Sequence, residues 1–287
     1  MITVLAPAKI NLTLRILGKR ADGYHDLESI VQKVDLYDRI TLMPVTTERI
    51  SIECDDPALP VDSTNIAVRA AELLRETAGS RESGVHIKLE KKIPHGAGLG
   101  GGSSDAASVL MGLEEIWNLS LDREHLLNIA ANLGSDVPLF LCPSPSLIKG
   151  RGEIVIPSSV RINAVYVIVY PDISVSTQWV YSNFRLTKPS GKYTISELSK
   201  GEGGELNPES WSEFLVNDLE MCVFEHHPRV MYCKEALTQH GAKASLMSGS
   251  GSAVFGLFSD RNSALSAAQE IEKRDGFRAI VAHPIFS

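Results

Sequence analysis

The chain has 287 residues, 44% of them hydrophobic, with 28 Lys and Arg against 35 Asp and Glu and a formal charge of -7. That length suits two modest domains or one large one, and the acidic balance excludes a general nucleic-acid or membrane-surface binder while leaving small anionic ligands open. Four cysteines without Cys-x-x-Cys spacing, eight scattered histidines and no eighteen-residue apolar run argue against a disulfide framework, structural zinc and a membrane span, so a cytoplasmic protein with free thiols is expected.

Along the chain, Ile2 to Lys9 reads as extended. The run Pro7-Ala8-Lys9-Ile10-Asn11-Leu12 sets Lys9 and Asn11 two apart, so on a strand one cation and one amide share a face. A solvent-facing edge of alternating polarity is the plainer alternative. Arg39 to Met43 is a second extended run, Ile50, Ile52 and Cys54 alternate, and Ile66 to Thr77 has helical spacing with Ala70, Leu73 and Leu74 inward. Asn65 stands where it can cap that helix. Val85 to Leu89 alternates at period two and predicts a half-buried strand.

That strand feeds Pro94-His95-Gly96-Ala97-Gly98-Leu99-Gly100-Gly101-Gly102-Ser103-Ser104-Asp105, the most informative stretch of the chain. Ala106, Val109, Leu110, Leu113, Ile116 and Trp117 then follow at helical spacing, predicting an amphipathic helix from Ser103 to Trp117. Strand, glycine loop and helix in that order suit an anion: glycine permits close approach and positive φ, and the helix N-terminus offers N–H groups and a partial positive charge. A flexible linker is the alternative. Gly96-x-Gly98-x-x-Gly101 formally matches a dinucleotide fingerprint, but Asp122, at the distance expected of a ribose carboxylate, opens another helix and reads as its cap. No Lys-Ser or Lys-Thr follows the glycines, so a Walker A loop fails too.

Further on, Gly134-Ser135-Asp136-Val137-Pro138 follows a helix that Gly134 can end, leaving Asp136 either a cap or a functional carboxylate. Proline-containing turns at 143–146 and 157–159 place a boundary near 157, giving domains 1–156 and 157–287. Val165 to Val169 is a continuous β-branched run expected at the centre of a sheet. Lys188 to Asn207 reads as a surface excursion, followed by helices at about Trp211 to Phe224, Arg229 to His240 and Asn262 to Lys273. Ala244 to Met247 and Ala253 to Phe258 flank Ser248-Gly249-Ser250-Gly251-Ser252, which by itself reads as a hairpin turn.

Taken in order, these segments resemble the galactokinase, homoserine kinase, mevalonate kinase and phosphomevalonate kinase (GHMP) superfamily, whose most specific signature is the glycine run. Arg20-Ala21-Asp22-Gly23-Tyr24-His25, Asn65, Gly150-Arg151-Gly152-Glu153, Asn217-Asp218-Leu219-Glu220 and Met247 to Gly256 extend the likeness to a kinase of the non-mevalonate isoprenoid route. Pro143 to Ser146 departs from the glycine-richer version of that pattern.

The resemblance implies an α+β, two-domain GHMP kinase fold, with an N-terminal ATP-binding domain, a C-terminal α/β sandwich domain and the active site between them. It also implies ATP-dependent phosphoryl transfer to the 2-hydroxyl of a methylerythritol unit on a small substrate bearing a cytidine diphosphate group. Asp136 is then expected to accept or orient the hydroxyl proton, with Lys9 holding Asp136 and the developing alkoxide. The segment from Pro94 through His95, Gly96, Ala97, Gly98, Leu99, Gly100, Gly101, Gly102 and Ser103 to Ser104 is expected to hold the ATP phosphates. Asn11, Tyr24, His25 and Phe184 are expected at the substrate, with Tyr24 and Phe184 walling the cytosine and His25 reading its edge. Mg²⁺ is implied by ATP, with the Ser104 hydroxyl a candidate contact. A dinucleotide-dependent oxidoreductase and an inactive kinase-derived binding protein are the competing readings.

Overall fold

The computed structural model describes residues 1–79, 83–185, 195 and 210–286. It has two compact units: Met1–Ala8, Leu36–Ile93 and Gly100–Cys142 form one, and Lys9–Asp35, Pro94–Leu99 and Pro143–Ser287 the other. The units interleave along the chain because β1 (Ile2–Asn11) and β3 (His25–Val45) each run from one into the other, so a single cut at 156/157 does not separate them.

In the first unit the later half of β3 pairs antiparallel with β5 (Gly84–Glu90), from Arg39↔Glu90 to Val45↔Gly84, and β4 (Ile50–Cys54) runs parallel to β5. Four helices accompany these strands: α1 (Ile66–Thr77), α2 (Gly101–Ile116), α3 (Arg123–Leu133) and α4 (Val137–Leu141). Asn65 and Asp122 act as N-caps, accepting from Ala67 N at 2.9 Å and His125 N at 2.8 Å. Helix α2 departs from its expected form in two ways. It begins at Gly101, inside the glycine run, because Gly100 makes the turn with φ 72°. It is also buried without interruption from Ser104 to Leu110, where a single apolar stripe was expected, since it lies packed between α1 and α4.

In the second unit β2 (Thr13–Lys19) pairs antiparallel with the first half of β3, which also pairs with β6 (Ser146–Gly150); β7 (Ile154–Pro157) completes a hairpin with β6. A separate antiparallel sheet has the order β10 (Ala244–Met247), β11 (Val254–Phe258), β8 (Val165–Tyr170), β12 (Arg278–Ala282). Strand β8 is flanked on both sides, and Tyr166 to Val169 have no exposed surface, as its unbroken apolar run requires.

The helices of this unit are α5 (Thr177–Asn183), α6 (Trp211–Phe214), α7 (Glu220–His226), α8 (Pro228–Gln239) and α9 (Arg261–Glu270), the last continuing into a π-helical turn at Ile271–Asp275. The helix expected from Trp211 to Phe224 is therefore broken. Its middle forms β9 (Val216–Asn217), which pairs in parallel with β2, because Asn217 takes tertiary hydrogen bonds that a continuous helix would not allow. The excursion expected at Lys188 to Asn207 lies, apart from Ile195, outside the described residues. All four cysteines are free thiols, Cys233 alone being buried.

Candidate active site

In the second unit the end of β1 meets two other backbones. Lys9 and Asn11 do share a face, but it is an interior one: they are 5% and 2% exposed, which overturns the solvent-edge alternative. Lys9 Nζ donates to Asn11 Oδ1 at 2.6 Å, and Asn11 Nδ2 donates to Ser29 Oγ at 2.8 Å. Ser29 Oγ in turn donates to Thr13 O, while Thr13 Oγ1 accepts from Ile30 N at 2.8 Å. Each polar end of Asn11 thus has one partner inside the protein, and its side chain holds Lys9. A buried ammonium costs several kcal/mol unless its donors are satisfied, and this chain of hydrogen bonds is the compensation.

The Ser248–Ser252 turn between β10 and β11 closes over this pair. Asn11 N donates to Ser248 Oγ at 3.3 Å, and Ser248 Oγ donates to Gly98 O at 3.0 Å. Lys9 N donates to Leu99 O at 2.9 Å and Ala253 N to Ala97 O at 3.0 Å. The 94–99 half of the glycine segment is therefore fixed through its carbonyls. Pro94, Ala97 and Leu99 are buried; His95 is exposed, its carbonyl accepting from Tyr170 OH at 3.3 Å. Gly98 is glycine for a packing reason, because a Cβ there would lie 2.2 Å from Ser248 O. The turn is a hairpin, as read, and also a wall of the lysine site.

In the first unit the glycine segment becomes the head of α2. Gly100 supplies no side-chain cap, so the N–H groups of Gly101, Gly102 and Ser103 keep the unpaired character of a helix start. Gly102 is exposed, and a Cβ on it would meet only Ile66 Cγ2 at 3.6 Å. Those residues fit a phosphate. At Ser104 the N–H donates to Gly100 O at 2.9 Å, while the hydroxyl is buried and has no hydrogen-bond partner among the described residues. Among the described residues no group of three or more His, Cys, Asp or Glu could hold a metal ion. Gly101 lacks a positive φ, and a Cβ on it would lie 3.1 Å from Ile93 Cγ2 and 3.4 Å from Lys91 Nζ, a tight fit against two side chains.

Beneath α2, Lys91 Nζ donates to Asp38 Oδ2 and, at 2.6 Å, to Asp105 Oδ2. Burial pushes the Asp105 carboxyl up to about 7, with the Asp38 charge adding to the rise and Lys91 opposing it. Asp136 occupies the N-cap position of α4 with φ -85° and ψ -11°, but its side chain makes no capping hydrogen bond. Asp136 is half-buried and follows the end of α3 at Gly134, directly before the buried Val137 and Pro138. The capping alternative is thereby removed.

An aromatic cluster forms at the β2–β3 connection of the second unit. Arg20 pins this turn: its Nε lies 3.1 Å from Asp22 Oδ2 and its Nη1 donates to Asp26 Oδ1 at 2.7 Å, while Tyr24 N donates to Asp22 Oδ1 at 3.1 Å. Tyr24 is 56% exposed, with the Arg151 guanidinium 4.9 Å from its ring centroid. His25 lies 6.3 Å edge-on from Phe184 and 5.4 Å from Tyr181, tilted by 32°. Burial, with the Lys19 charge behind it, lowers the His25 pKa and favours a neutral imidazole. Tyr181 was not singled out in the sequence; its signal is the three-residue spacing to Phe184, the C-cap of α5.

Comparison with known proteins follows these features. Residues 65–143 match the GHMP kinases N terminal domain and residues 195–276 the GHMP kinases C terminal domain. A 4-diphosphocytidyl-2-C-methyl-D-erythritol kinase of Syntrophotalea carbinolica is 44% identical over 285 residues, covering 99% of each chain. The chain belongs to the 4-diphosphocytidyl-2-C-methyl-D-erythritol kinase family of GHMP kinases. A second member, from Geobacter sp. strain M21, is 45% identical and covers 98% of each chain. A crystal structure of 4-(cytidine 5'-diphospho)-2C-methyl-D-erythritol kinase superposes with TM-score 0.82 at 34% identity over 100% of each chain. Homoserine kinase from Cytophaga hutchinsonii shares the fold at TM-score 0.73 and 20% identity, covering 99% of this chain and 94% of its own. Within the kinase family, the α+β character and the glycine run are the features the sequence made plainest.

Proposed function

We propose that this chain transfers the γ-phosphoryl group of ATP to the 2-hydroxyl of 4-diphosphocytidyl-2-C-methyl-D-erythritol. The observation that carries the assignment is the buried Lys9–Asn11 pair enclosed by the Ser248–Ser252 turn and the carbonyls of Ala97 to Leu99. The dinucleotide reading loses its footing because Asp122 is spent on capping α3 and β5 lies antiparallel to β3.

In the reaction the 2-hydroxyl oxygen bonds to the γ-phosphorus as the bond to the β–γ bridging oxygen breaks, and ADP leaves. Asp136 takes the hydroxyl proton; Lys9 brings positive charge to the reacting oxygens. In a loose transition state proton removal lags behind bond breaking, so a carboxylate is a sufficient base. The N–H groups of Gly101, Gly102 and Ser103 bind phosphate, with Gly96 to Gly98 supplying the approach to them. Mg²⁺, when bound, neutralises phosphate charge; an ion carried by phosphates and water needs no protein cage. Tyr24 and Phe184 enclose the cytosine, and neutral His25 hydrogen-bonds its polar edge. Free thiols suit a reducing cytoplasm, and no described helix is long and apolar enough to cross a membrane.

The test is ADP release with the cytidine-bearing substrate, followed by phosphorus NMR of the product. Equimolar ADP and a new phosphate monoester on the 2-oxygen are expected. Binding of both ligands without turnover would instead support the kinase-derived binding protein.

A further inference from the structure

The Asn217-Asp218-Leu219-Glu220 run has no place in the mechanism above, yet it interrupts what the apolar spacing predicts to be one helix. Asn217 is 7% exposed, and its amide is fully used. Nδ2 donates at 2.8 Å to Met247 O and at 2.8 Å to Gly249 O, while Oδ1 accepts from Leu219 N at 3.0 Å. Glu220 adds a second grip, accepting from Met247 N at 3.0 Å through Oε1 and from Lys234 Nζ at 2.6 Å through Oε2. Asp218 Oδ2 accepts from Ile16 N at 2.8 Å and anchors the run to β2. Both backbone groups of Met247 are therefore held by side chains of one four-residue motif.

What these bonds hold is the turn beside Lys9. Gly249 has φ +58°, and a Cβ placed on it would lie 3.2 Å from Asn11 Oδ1, 3.3 Å from Lys9 Nζ and 3.4 Å from Gly98 O. The Gly249 backbone is thus the surface against which the Lys9–Asn11 pair packs, and Asn217 holds that backbone from the other side through its carbonyl.

We propose that Asn217 is a positioning residue for phosphoryl transfer: by holding the carbonyls of Met247 and Gly249 it presses the Ser248–Ser252 turn onto the Lys9–Asn11 pair and fixes the direction of the Lys9 ammonium. The inference rests on the reading that Lys9 serves the reaction. Asn217 acts through Lys9, its own amide being taken up by Met247 O, Gly249 O and Leu219 N.

Asn217→Asp is the discriminating variant, because it keeps size and the bond from Leu219 N but sets a carboxylate against two carbonyls. The expected result is a kcat lowered about 10- to 100-fold, with KM for ATP and for the cytidine-bearing substrate within about threefold of the parent. In a Lys9→Ala background the same change should alter kcat by less than about twofold, since residues acting as a unit are not additive. Gly249→Ala leaves the Asn217 bonds in place and puts a methyl group near the Lys9 ammonium; it should reproduce the kcat loss, and lose its effect in the Lys9→Ala background, even where Asn217→Asp fails to fold. Losses that multiply in the double variants overturn the positioning role alone. A Lys9→Ala enzyme with parental kcat overturns the role of Lys9 and this inference with it.

Discussion

Lys9 Nζ donates to Asn11 Oδ1 at 2.6 Å across a single intervening residue of β1, in a place where both side chains are almost without solvent. Asn11→Ala should remove the amide acceptor of the ammonium and the donor to Ser29 Oγ. The expected cost is about 1–3 kcal/mol of stability from unsatisfied buried groups. A fall in kcat larger than the change in either KM should accompany it, read from denaturant unfolding and steady-state kinetics on the same preparation.

The glycines divide by what surrounds them. Gly98→Ala drives a Cβ to 2.2 Å from Ser248 O and should lower the melting temperature of the ligand-free protein. Gly102→Ala meets only Ile66 Cγ2 at 3.6 Å and sits in helix, where alanine is favoured by about 1 kcal/mol, so stability should hold or rise. ATP should nevertheless bind Gly102→Ala about tenfold more weakly by calorimetry, a change of about 1.4 kcal/mol. Parental affinity there would remove the head of α2 from the phosphate site.

Asp105 gives stability a pH dependence with a definite sign. Its carboxyl lies at about 7 in the folded protein against 3.8 ordinarily, so between those values the folded state binds the extra proton. This contribution is complete below the ordinary value and is lost as pH rises through about 7. Thermal melts should therefore show falling stability from pH 5 to pH 8, and Asp105→Asn should flatten that slope.

Tyr24→Ala should weaken the cytidine-bearing substrate by about 1–3 kcal/mol, the scale of base stacking on an aromatic ring, with ATP affinity unchanged in calorimetry. Equal losses for both ligands would mark damage to the turn that Arg20 and Asp22 hold.

How much of this was legible in sequence follows from the range of each interaction. Helix α1 with its Asn65 cap, α3 with its Asp122 cap, the central strand β8 and the β10–β11 hairpin are set by local spacing and capping chemistry, and each stands as read. Convergence of Lys9 and Asn11 was legible from period two, but their burial was not, because Ser248 lies 237 residues from Asn11 in the chain. The break at Asn217 was hidden for the same reason: its partners Met247 and Gly249 lie 30 and 32 residues on. Gly96 and Gly98 have the positive φ that the glycine run led one to expect, and a Cβ on either would also strike Ser174 Oγ or Ser248 O, a long-range demand that looks identical in sequence to one made by phosphate. Tyr181 went unread because what singles it out is its ring contact with His25, 156 residues away in the chain.

Asp136 carries the central claim, and Asp136→Asn tests it most directly because the side chain keeps its size and makes no cap whose loss could confuse the result. Steady-state turnover of ATP with the cytidine-bearing substrate, measured beside the melting temperature, should show kcat reduced by about 10² to 10⁴ with both KM values and stability close to the parent. A kcat within a few-fold of the parent at unchanged stability would contradict the account and leave Asp136 a structural residue of the α3–α4 turn.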